Sequence, residues 1–240
     1  SNFAAIEFAL DGFGVEIRKG TLSIMGAFLR QHFAENDETG KLVTYDEFSG
    51  IIQVAFPPFS LTGMGSYAMY DDHPSLFLFV ALGFPITVGP MLVIEGLALG
   101  FGIHRDFIPP ELDAILTYPL VAVAVTPPPD IDIVDMVQKL HDYFPPAADL
   151  YFIVAGVKFK AFALVDSLVM VAVKFGREFE ITLIGVSSIL LPAVFIELVW
   201  MARFVPKTGY LFIGGQLTER SFLLVPQVKL RKRLDLARDA

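Results

Sequence analysis

The sequence predicts an all-β fold, an antiparallel meander of about twelve strands that is curled or barrel-like and carries one central α-helix. Three observations lead to this prediction. Runs of strand length, rich in β-branched and aromatic residues, recur along the chain. Clusters of Gly, Pro, Asp and Asn separate these runs, as hairpin turns require. Only residues 130–144 show a convincing apolar stripe at helical spacing.

The predicted strands are bounded by residues that make turns or end strands. Lys19-Gly20 makes a tight turn, a charged loop covers residues 34–41, and Pro57-Pro58 ends a strand because proline cannot donate to a β-ladder. The strands predicted in chain order are residues 13–30 (two strands), 42–56, 59–70, 75–84, 91–103, 118–125, 150–161, 164–175, 178–184, 194–204, 210–217 and 221–225.

The stretch from Tyr67 to His104 is the predicted centre of the sheet. Its uncharged segment, residues 74–94, is roughly long enough to cross a bilayer as a helix. However, Pro85 and the Gly89-Pro90 pair interrupt it, and each half has the length and composition of a strand. We therefore expect a β-hairpin that is buried on both of its apolar faces, and no transmembrane helix.

One helix and one tail define the predicted domain organisation. Prolines flank the helix at residues 130–144, and a shorter helix is expected after Pro110, since proline suits a first helical turn. The longer helix joins two strand-rich halves, residues 1–126 and 150–226, into a single β-rich domain that covers residues 1–226. A basic, helix-prone tail follows this domain at residues 227–240.

Composition narrows the range of partners and locations. The chain is 54% hydrophobic and only 18% charged, so we expect either that much of the chain is buried or that lipid, a ligand or another chain covers some apolar surface. A net charge of −8 argues against nucleic acid as a partner, and the absence of cysteine excludes disulfides and thiolate metal sites. The first residues lack the pattern of a signal peptide, which makes the cytoplasm the default location.

Several segments together resemble a known domain. The segments are GVEIRKGTLSIMGAF (14–28), PPFSLTGMGSYA (57–68), HPSLFLFVALGFP (73–85), IEGLALGFGIHR (94–105), YPLV (118–121), AGVKFKAFALVDSLVMVAVKFGREFEITLIGVS (155–187) and PKTGYLFIGGQLT (206–218). The chain resembles an uncharacterised β-rich domain of unknown function that is found in large bacterial and fungal proteins. The resemblance covers roughly residues 3–226 and implies a β-rich module embedded in a longer chain. It implies no activity, substrate or catalytic residue.

The main candidate site is His104, Arg105 and Asp106, which follow a Gly-Phe-Gly segment at a predicted strand end. An imidazole, a guanidinium and a carboxylate together bind anions or activate water, although a solvated strand end with a local ion pair is the more frequent explanation. Glu95 lies in an apolar strand, where a carboxylate is either paired with lysine or perturbed in pKa. Candidate apolar ligand contacts are Phe77, Phe79 and Phe101.

The four histidines of the chain do not predict a metal site or a cofactor site. His32, His73, His104 and His141 have no close spacing, so no zinc site and no other metal site is predicted. His141 lies at the edge of the helical stripe, which favours a satisfied or surface histidine. No motif fixes a nucleophile or a cofactor, so we predict no catalytic residues and no cofactor.

The leading functional hypothesis is a non-catalytic module with an apolar groove or cavity for a lipid-like ligand, another hydrophobic small molecule or an apolar partner segment. Apolar residues on both strand faces, few charges and many phenylalanines favour it. The alternative is a structural or self-assembly module that contacts neighbouring protein segments or forms a homo-oligomer. The last alternative is a hydrolase that uses His104 and Asp106.

Overall fold

The computed structural model describes residues 12–36, 40–125, 133–191, 194–223 and 233–235. The thirteen strands within these ranges form one antiparallel sheet. The strands are β1 (Gly12–Lys19), β2 (Leu22–Asn36), β3 (Leu42–Phe56), β4 (Phe59–Tyr70), β5 (His73–Val88), β6 (Leu92–Arg105), β7 (Pro146–Ala161), β8 (Val165–Gly176), β9 (Glu180–Leu191), β10 (Val194–Val205), β11 (Tyr210–Leu217), β12 (Phe222–Leu223) and β13 (Arg233–Asp235). The predicted all-β, antiparallel meander is confirmed.

The sheet is open, so the prediction of a barrel is wrong. Strands β1 to β11 lie side by side in chain order, β13 pairs with β11, and β12 pairs with the start of β10. Among the described strands, β1 therefore remains an edge and does not pair with the far end of the sheet. A small barrel closes around side chains alone, whereas this sheet curls around a layer of helices that keeps its edges apart.

The predicted central hairpin is confirmed as β5 and β6. Its turn contains Gly89, whose φ of +71° is the left-handed conformation that favours glycine. In this pair Phe77 lies opposite Gly102 and Phe79 opposite Gly100, so large rings on β5 face bare backbone on β6. The hairpin thus presents room for further aromatic rings on one face of the sheet.

Four short helical elements between β6 and β7 cover that face. They are a 3-10 helix (Leu112–Thr117), α1 (Pro119–Ala124), α2 (Ile133–Gln138) and α3 (Leu140–Tyr143). The 3-10 helix contacts β9, β10 and β11, α1 contacts β5 and β6, and α2 contacts β2 and β3. One compact helical layer therefore contacts strands from β2 to β11, which requires the sheet to curl around it. We call the covered face concave and the opposite face convex.

The predicted strand at residues 118–125 is wrong, because this segment forms α1. Pro119 occupies the first helical turn, where its missing N–H costs nothing. Residues 119–123 are all buried. A short run that is apolar on every side has no period that separates a buried strand from a buried helix.

The predicted helix at residues 130–144 is divided into α2 and α3, and residues 130–132 lie outside the described part of the chain. The chain turns at Lys139, the residue that precedes α3. After this turn the consecutive residues Leu140 and His141 are both buried. In a single continuous amphipathic helix, His141 would lie at the edge of the apolar stripe and would be more exposed than Leu140.

The C-terminal tail also differs from its prediction where it is described. Residues 233–235 form β13 beside β11, whereas the basic composition predicted a helix. The pairing supplies backbone hydrogen bonds at the sheet edge that helix propensity does not anticipate. The other residues of the tail, 227–232 and 236–240, lie outside the described part of the chain.

The core lies between the concave face and the helical layer. Phe77, Phe144 and Phe152 are fully buried, and the rings of Phe77 and Phe144 stack with their centroids 4.2 Å apart. Within the described residues, no helix combines the length and the apolar character needed to cross a membrane.

We expect Gly102→Ala to destabilise the fold, because an added methyl group would lie 2.2 Å from Cε1 of Phe152 in a packed interior. Overpacking of this kind lowers the free energy of unfolding by about 1–3 kcal/mol. The matched control is Gly63→Ala, whose methyl group would meet only Cγ2 of Ile52 at 3.5 Å. Equilibrium urea denaturation measures both; equal midpoint shifts would contradict the proposed packing of the concave face.

Candidate functional site

The three adjacent residues of the predicted site are not brought together. His104 has a φ of +50°, and the pairing of β6 with β7 shifts register between Ile103 and Arg105, which identifies a β-bulge. The bulge directs neighbouring side chains to different surroundings. His104 and Asp106 are partly exposed, whereas Arg105 is fully buried on the concave side.

His104 contributes to an aromatic group at the rim of the sheet. Its ring centroid lies 5.5 Å from that of His73 and 5.2 Å from that of Tyr151. Its Nδ1 accepts a hydrogen bond from the backbone N–H of Asp149 at 3.1 Å. One ring nitrogen is thus engaged with backbone, which leaves the imidazole little freedom to act with Asp106.

Asp106 belongs to a separate ionic group. Its Oδ1 accepts a hydrogen bond from the Phe107 backbone N–H at 2.7 Å and another from Lys174 Nζ at 3.0 Å. Lys174 also lies 3.1 Å from Glu178 and is buried. Burial by itself lowers the pKa of Lys174, but the hydrogen bond and charge of Asp106, with Glu178 and Glu180, raise it overall. Asp106 therefore holds a buried lysine.

The other predicted residues are dispersed over the sheet. Phe77 and Phe79 are fully buried in the core, and Phe101 lies on the convex face. Glu95 lies near the opposite end of β6, where its carboxylate oxygens are 3.6 Å from Nζ of Lys158 and of Lys160. The expected lysine partners of Glu95 are present, and the seven predicted residues do not form one site.

A pocket beside Glu95 is too small for a lipid. Glu95, Thr62 and Lys158 line it together with Val123 and Ala124 of the α1 region, and its volume is about 30 Å³. Drug-sized ligands occupy pockets of roughly 300–1,000 Å³. In the described part of the chain, no group of three or more histidines and carboxylates is arranged to hold a metal ion.

Arg105 instead forms a buried ion pair with a residue that the sequence did not single out. Its Nη1 donates to Oε1 of Glu47 at 2.8 Å and to the carbonyl of Phe144 at 2.7 Å. Neither the Arg105 nor the Glu47 side chain is exposed to solvent at all. The pair joins β6 to β3 and to the end of α3, across a sequence separation of 58 residues.

His141 extends this pair to a second carboxylate. Its Nδ1 lies 2.6 Å from Oε2 of Glu47, and its Nε2 lies 2.9 Å from Oε1 of Glu35. The Phe33 ring stacks on the imidazole with a centroid distance of 3.8 Å, and the Tyr45 hydroxyl donates to Glu35 at 3.1 Å. We call Arg105, Glu47, His141 and Glu35 the buried charge network.

The electrostatics of the network favour its charged form. Burial opposes charge on His141, but hydrogen bonds and attraction from Glu47 and Glu35 outweigh it and raise the pKa of His141. Burial likewise opposes charge on Glu47, yet His141 and Arg105 hold its pKa below the usual range. The buried Glu47 carboxylate thus lies between the Arg105 guanidinium and the His141 imidazole, and such pairing is the condition under which a buried charge is tolerated.

The inner part of the network is closed to solvent, whereas its outer end is open. Arg105 and Glu47 have no exposed surface, and the His141 side chain is only 11% exposed. The Glu35 side chain is 41% exposed. The network joins the helical layer to strands β2, β3 and β6.

The alternation of residues along β3 indicates that the Glu47 side chain is buried. Val43, Tyr45 and Ile51 share a face with Glu47, and all three are buried apolar residues. A carboxylate on an apolar parity is the same pattern that identified Glu95. His141 was correctly interpreted as a satisfied histidine, but its partners lie 94 and 106 residues away and no local pattern specifies them.

The convex face is apolar and open. On strands β4 to β6, and on β7 from Leu150 onward, it carries no charged side chain. We define the convex patch as nine large side chains on these strands that are 39–62% exposed: Leu61, Tyr67, Met69, Leu78, Leu82, Leu97, Leu99, Ile103 and Ile153. Within the described chain the central hairpin is therefore buried on its concave face alone.

The size of the convex patch is unusual for a monomer surface. Each of its nine residues is at least 39% exposed, and they lie on four neighbouring strands. Monomeric soluble proteins rarely expose contiguous apolar patches larger than roughly a few hundred Å².

A family model matches residues 1–231 of the chain, and its description is a family of unknown function (DUF6603). No curated protein and no solved structure matches the chain. The comparisons therefore supply a family and no activity.

We expect Arg105→Met to lower the free energy of unfolding by about 3–5 kcal/mol, because it leaves Glu47 charged and buried without its partner. Adding Glu47→Gln should restore part of the loss, since the amide oxygen still accepts from His141 and no unpaired carboxylate remains buried at position 47. Urea denaturation of both single variants and the double variant gives the coupling between the two positions.

The exposed pair of Arg18 and Glu16, whose side chains are 74% and 52% exposed, supplies the control. Arg18→Met should leave the urea midpoint unchanged, because exposed pairs contribute little. Additive effects of the Arg105 and Glu47 substitutions would contradict the buried pair.

His141 makes the stability depend on pH above its usual pKa of 6.5. Because its pKa is raised in the folded state, its stabilisation is complete below pH 6.5 and is lost as the pH rises through the folded value. Glu47 has a lowered pKa, so its contribution is lost only as the pH falls below its usual 4.5. We therefore expect stability to decline from pH 6.5 upward.

Denaturation midpoints between pH 6 and pH 9 measure this decline, and His141→Gln should flatten it. The control is His32→Gln, because His32 also contacts a carboxylate, Asp46 at 3.0 Å, but its side chain is 70% exposed. A decline that survives in His141→Gln would show that another group is responsible.

Proposed function

We propose that this domain, which belongs to DUF6603, a family of unknown function, is a non-catalytic module. In this proposal the convex face of its sheet packs against an apolar surface of a partner protein. The observation that carries this proposal is the convex patch. Its leucines and isoleucines lie on paired, regular strands, so the apolar surface is rigid and continuous. Such surfaces on soluble proteins mark interaction sites.

The distribution of charge supports a partner over a substrate. Two ionic groups with buried members lie on the concave side, Arg105 with Glu47 and Lys174 with Asp106, and Arg105 also contacts the end of α3. The convex face of β4 to β6, and of β7 from Leu150 onward, retains only apolar or uncharged side chains. A protein that placed its charges for solubility would have the opposite arrangement.

A partner sheet suits this surface. Apolar faces of two antiparallel sheets interdigitate at a spacing of roughly 10 Å, with their strands nearly aligned. Leu78, Leu99 and Ile153 lie on three neighbouring strands and would provide the central contacts. A second copy of the chain offers the same apolar surface, so the partner in this proposal is a second copy.

We expect the purified chain to self-associate in sedimentation velocity as its concentration rises, and Leu99→Lys to weaken this association by at least about tenfold. Leu99 is 62% exposed, so the substitution places a charge in the patch without disturbing the core. The control is Gln138→Lys, which adds the same charge on the exposed side of α2.

Three outcomes would contradict the proposal. The chain could stay monomeric at every concentration, both lysine variants could associate equally well, or the chain could co-float with phosphatidylcholine vesicles in a Leu99-dependent manner. The last result would favour a lipid-like ligand on the same face.

A further inference from the structure

Five buried polar atoms in the described chain have no hydrogen-bond partner, and they share one region of the concave face. They are Oε1 of Gln31, Oγ of Ser49, Oγ of Ser66, and Nε and Nη2 of Arg105. Buried polar groups in folded proteins are almost always satisfied by protein or by ordered water. A cluster of them beside a buried ion pair therefore calls for a ligand.

The strand register places these atoms together. Gln31 on β2 lies opposite Glu47 on β3, and Ser49, two residues further along the same face of β3, lies opposite Ser66 on β4. Side chains directly opposite each other in an antiparallel pair have Cβ atoms roughly 4.5–5.5 Å apart. Arg105 reaches this region because its Nη1 contacts Glu47.

Small side chains lie where Arg105 crosses the sheet. Two strands separate β6 from β3, so the arginine crosses β5 and β4, where Ser75 and Ala68 lie opposite each other and are both fully buried. The spacing between sheet and helices is set nearby by the larger pair of Phe77 and Phe144, whose rings stack.

The chemistry of the five atoms selects a neutral ligand that both donates and accepts. Arg105 Nε and Nη2 only donate, the Gln31 oxygen only accepts, and serine hydroxyls do either. An anion would satisfy the arginine but would be repelled by the Glu47 carboxylate, which already pairs with the same guanidinium. A cation would be repelled by Arg105.

We propose that an ordered internal water, or a pair of waters, bridges the free Nε–Nη2 edge of Arg105 to the hydroxyls of Ser49 and Ser66, with Gln31 as a further acceptor. The water accepts from the guanidinium and donates to a serine or to the glutamine oxygen. Internal waters of this type make about three hydrogen bonds each and are part of the structure.

The site completes the buried charge network. Glu47 and the Phe144 carbonyl occupy Nη1 of Arg105, and the water occupies the opposite edge, so every guanidinium group faces a partner. The orientation of the arginine, and with it the seat of α3 on the sheet, then depends on the two serines.

A crystal structure at a resolution that shows ordered solvent tests the proposal directly. We expect a water-sized peak within hydrogen-bond distance of Arg105 Nε or Nη2 and of at least one of the two serine hydroxyls. A map in which the guanidinium edge bonds directly to Ser66 Oγ or Gln31 Oε1, with no intervening peak, would overturn it. A peak stronger than water, as from a halide, would overturn the neutral ligand.

NMR supplies a second readout in solution. The Arg105 Hε resonance should show a cross-peak to long-lived water, and Ser66→Val should abolish it by removing the hydroxyl and filling the space. Ser167→Val is the control, since Ser167 lies on β8 and its hydroxyl is 3.0 Å from that of Ser187. Retention of the cross-peak in Ser66→Val would contradict the site, and the wild-type map decides the question if that variant does not fold.

Discussion

The ion pair between Arg105 and Glu47 is the contact on which the interior depends. Both groups are fully removed from water, so each requires the other, and their positions on β6 and β3 require the arginine to lie across two strands. Ser75 and Ala68 permit that crossing, and the Phe144 carbonyl meets the same guanidinium from the helical layer. The pair thereby joins β3 and β6 to the end of α3.

The helical layer in turn explains why the sheet is open. A sheet closing on side chains alone would form a narrow barrel. Here the concave side accommodates three α-helices and a 3-10 helix, and their apolar residues join those of β3 to β10 in one core. Charged groups needed to hold this layer point inward, and the apolar residues that remain form the outer face. The convex patch is thus a consequence of how the interior is filled.

The sequence predicted the features that are local. Gly89-Pro90, Lys19-Gly20 and Pro57-Pro58 identified real turns, and apolar runs of strand length identified the strands between them. The predicted strand at residues 118–125 is instead the helix α1. All sides of this short run are buried, so it has no apolar period that distinguishes a helix from a strand.

The site was harder to predict because it is built across long separations. Arg105 was chosen as part of a trio, but a bulge at His104 sends its neighbours elsewhere. Glu47 and His141 are 94 residues apart in the chain, and only the curl of the sheet brings them into contact. The parity of Glu47 among Tyr45 and Ile51 was the one local sign that a carboxylate would be buried.

The central claim is that the convex face is an interface, and hydroxyl-radical footprinting over a range of protein concentrations tests it most directly. Met69 and Tyr67 lie in the convex patch and are 51% and 41% exposed, whereas Tyr210 is 47% exposed on β11 outside it. The account predicts that Met69 and Tyr67 become protected from oxidation as the concentration rises while Tyr210 does not. Unchanged reactivity of all three residues, or equal protection of Tyr210, would contradict it.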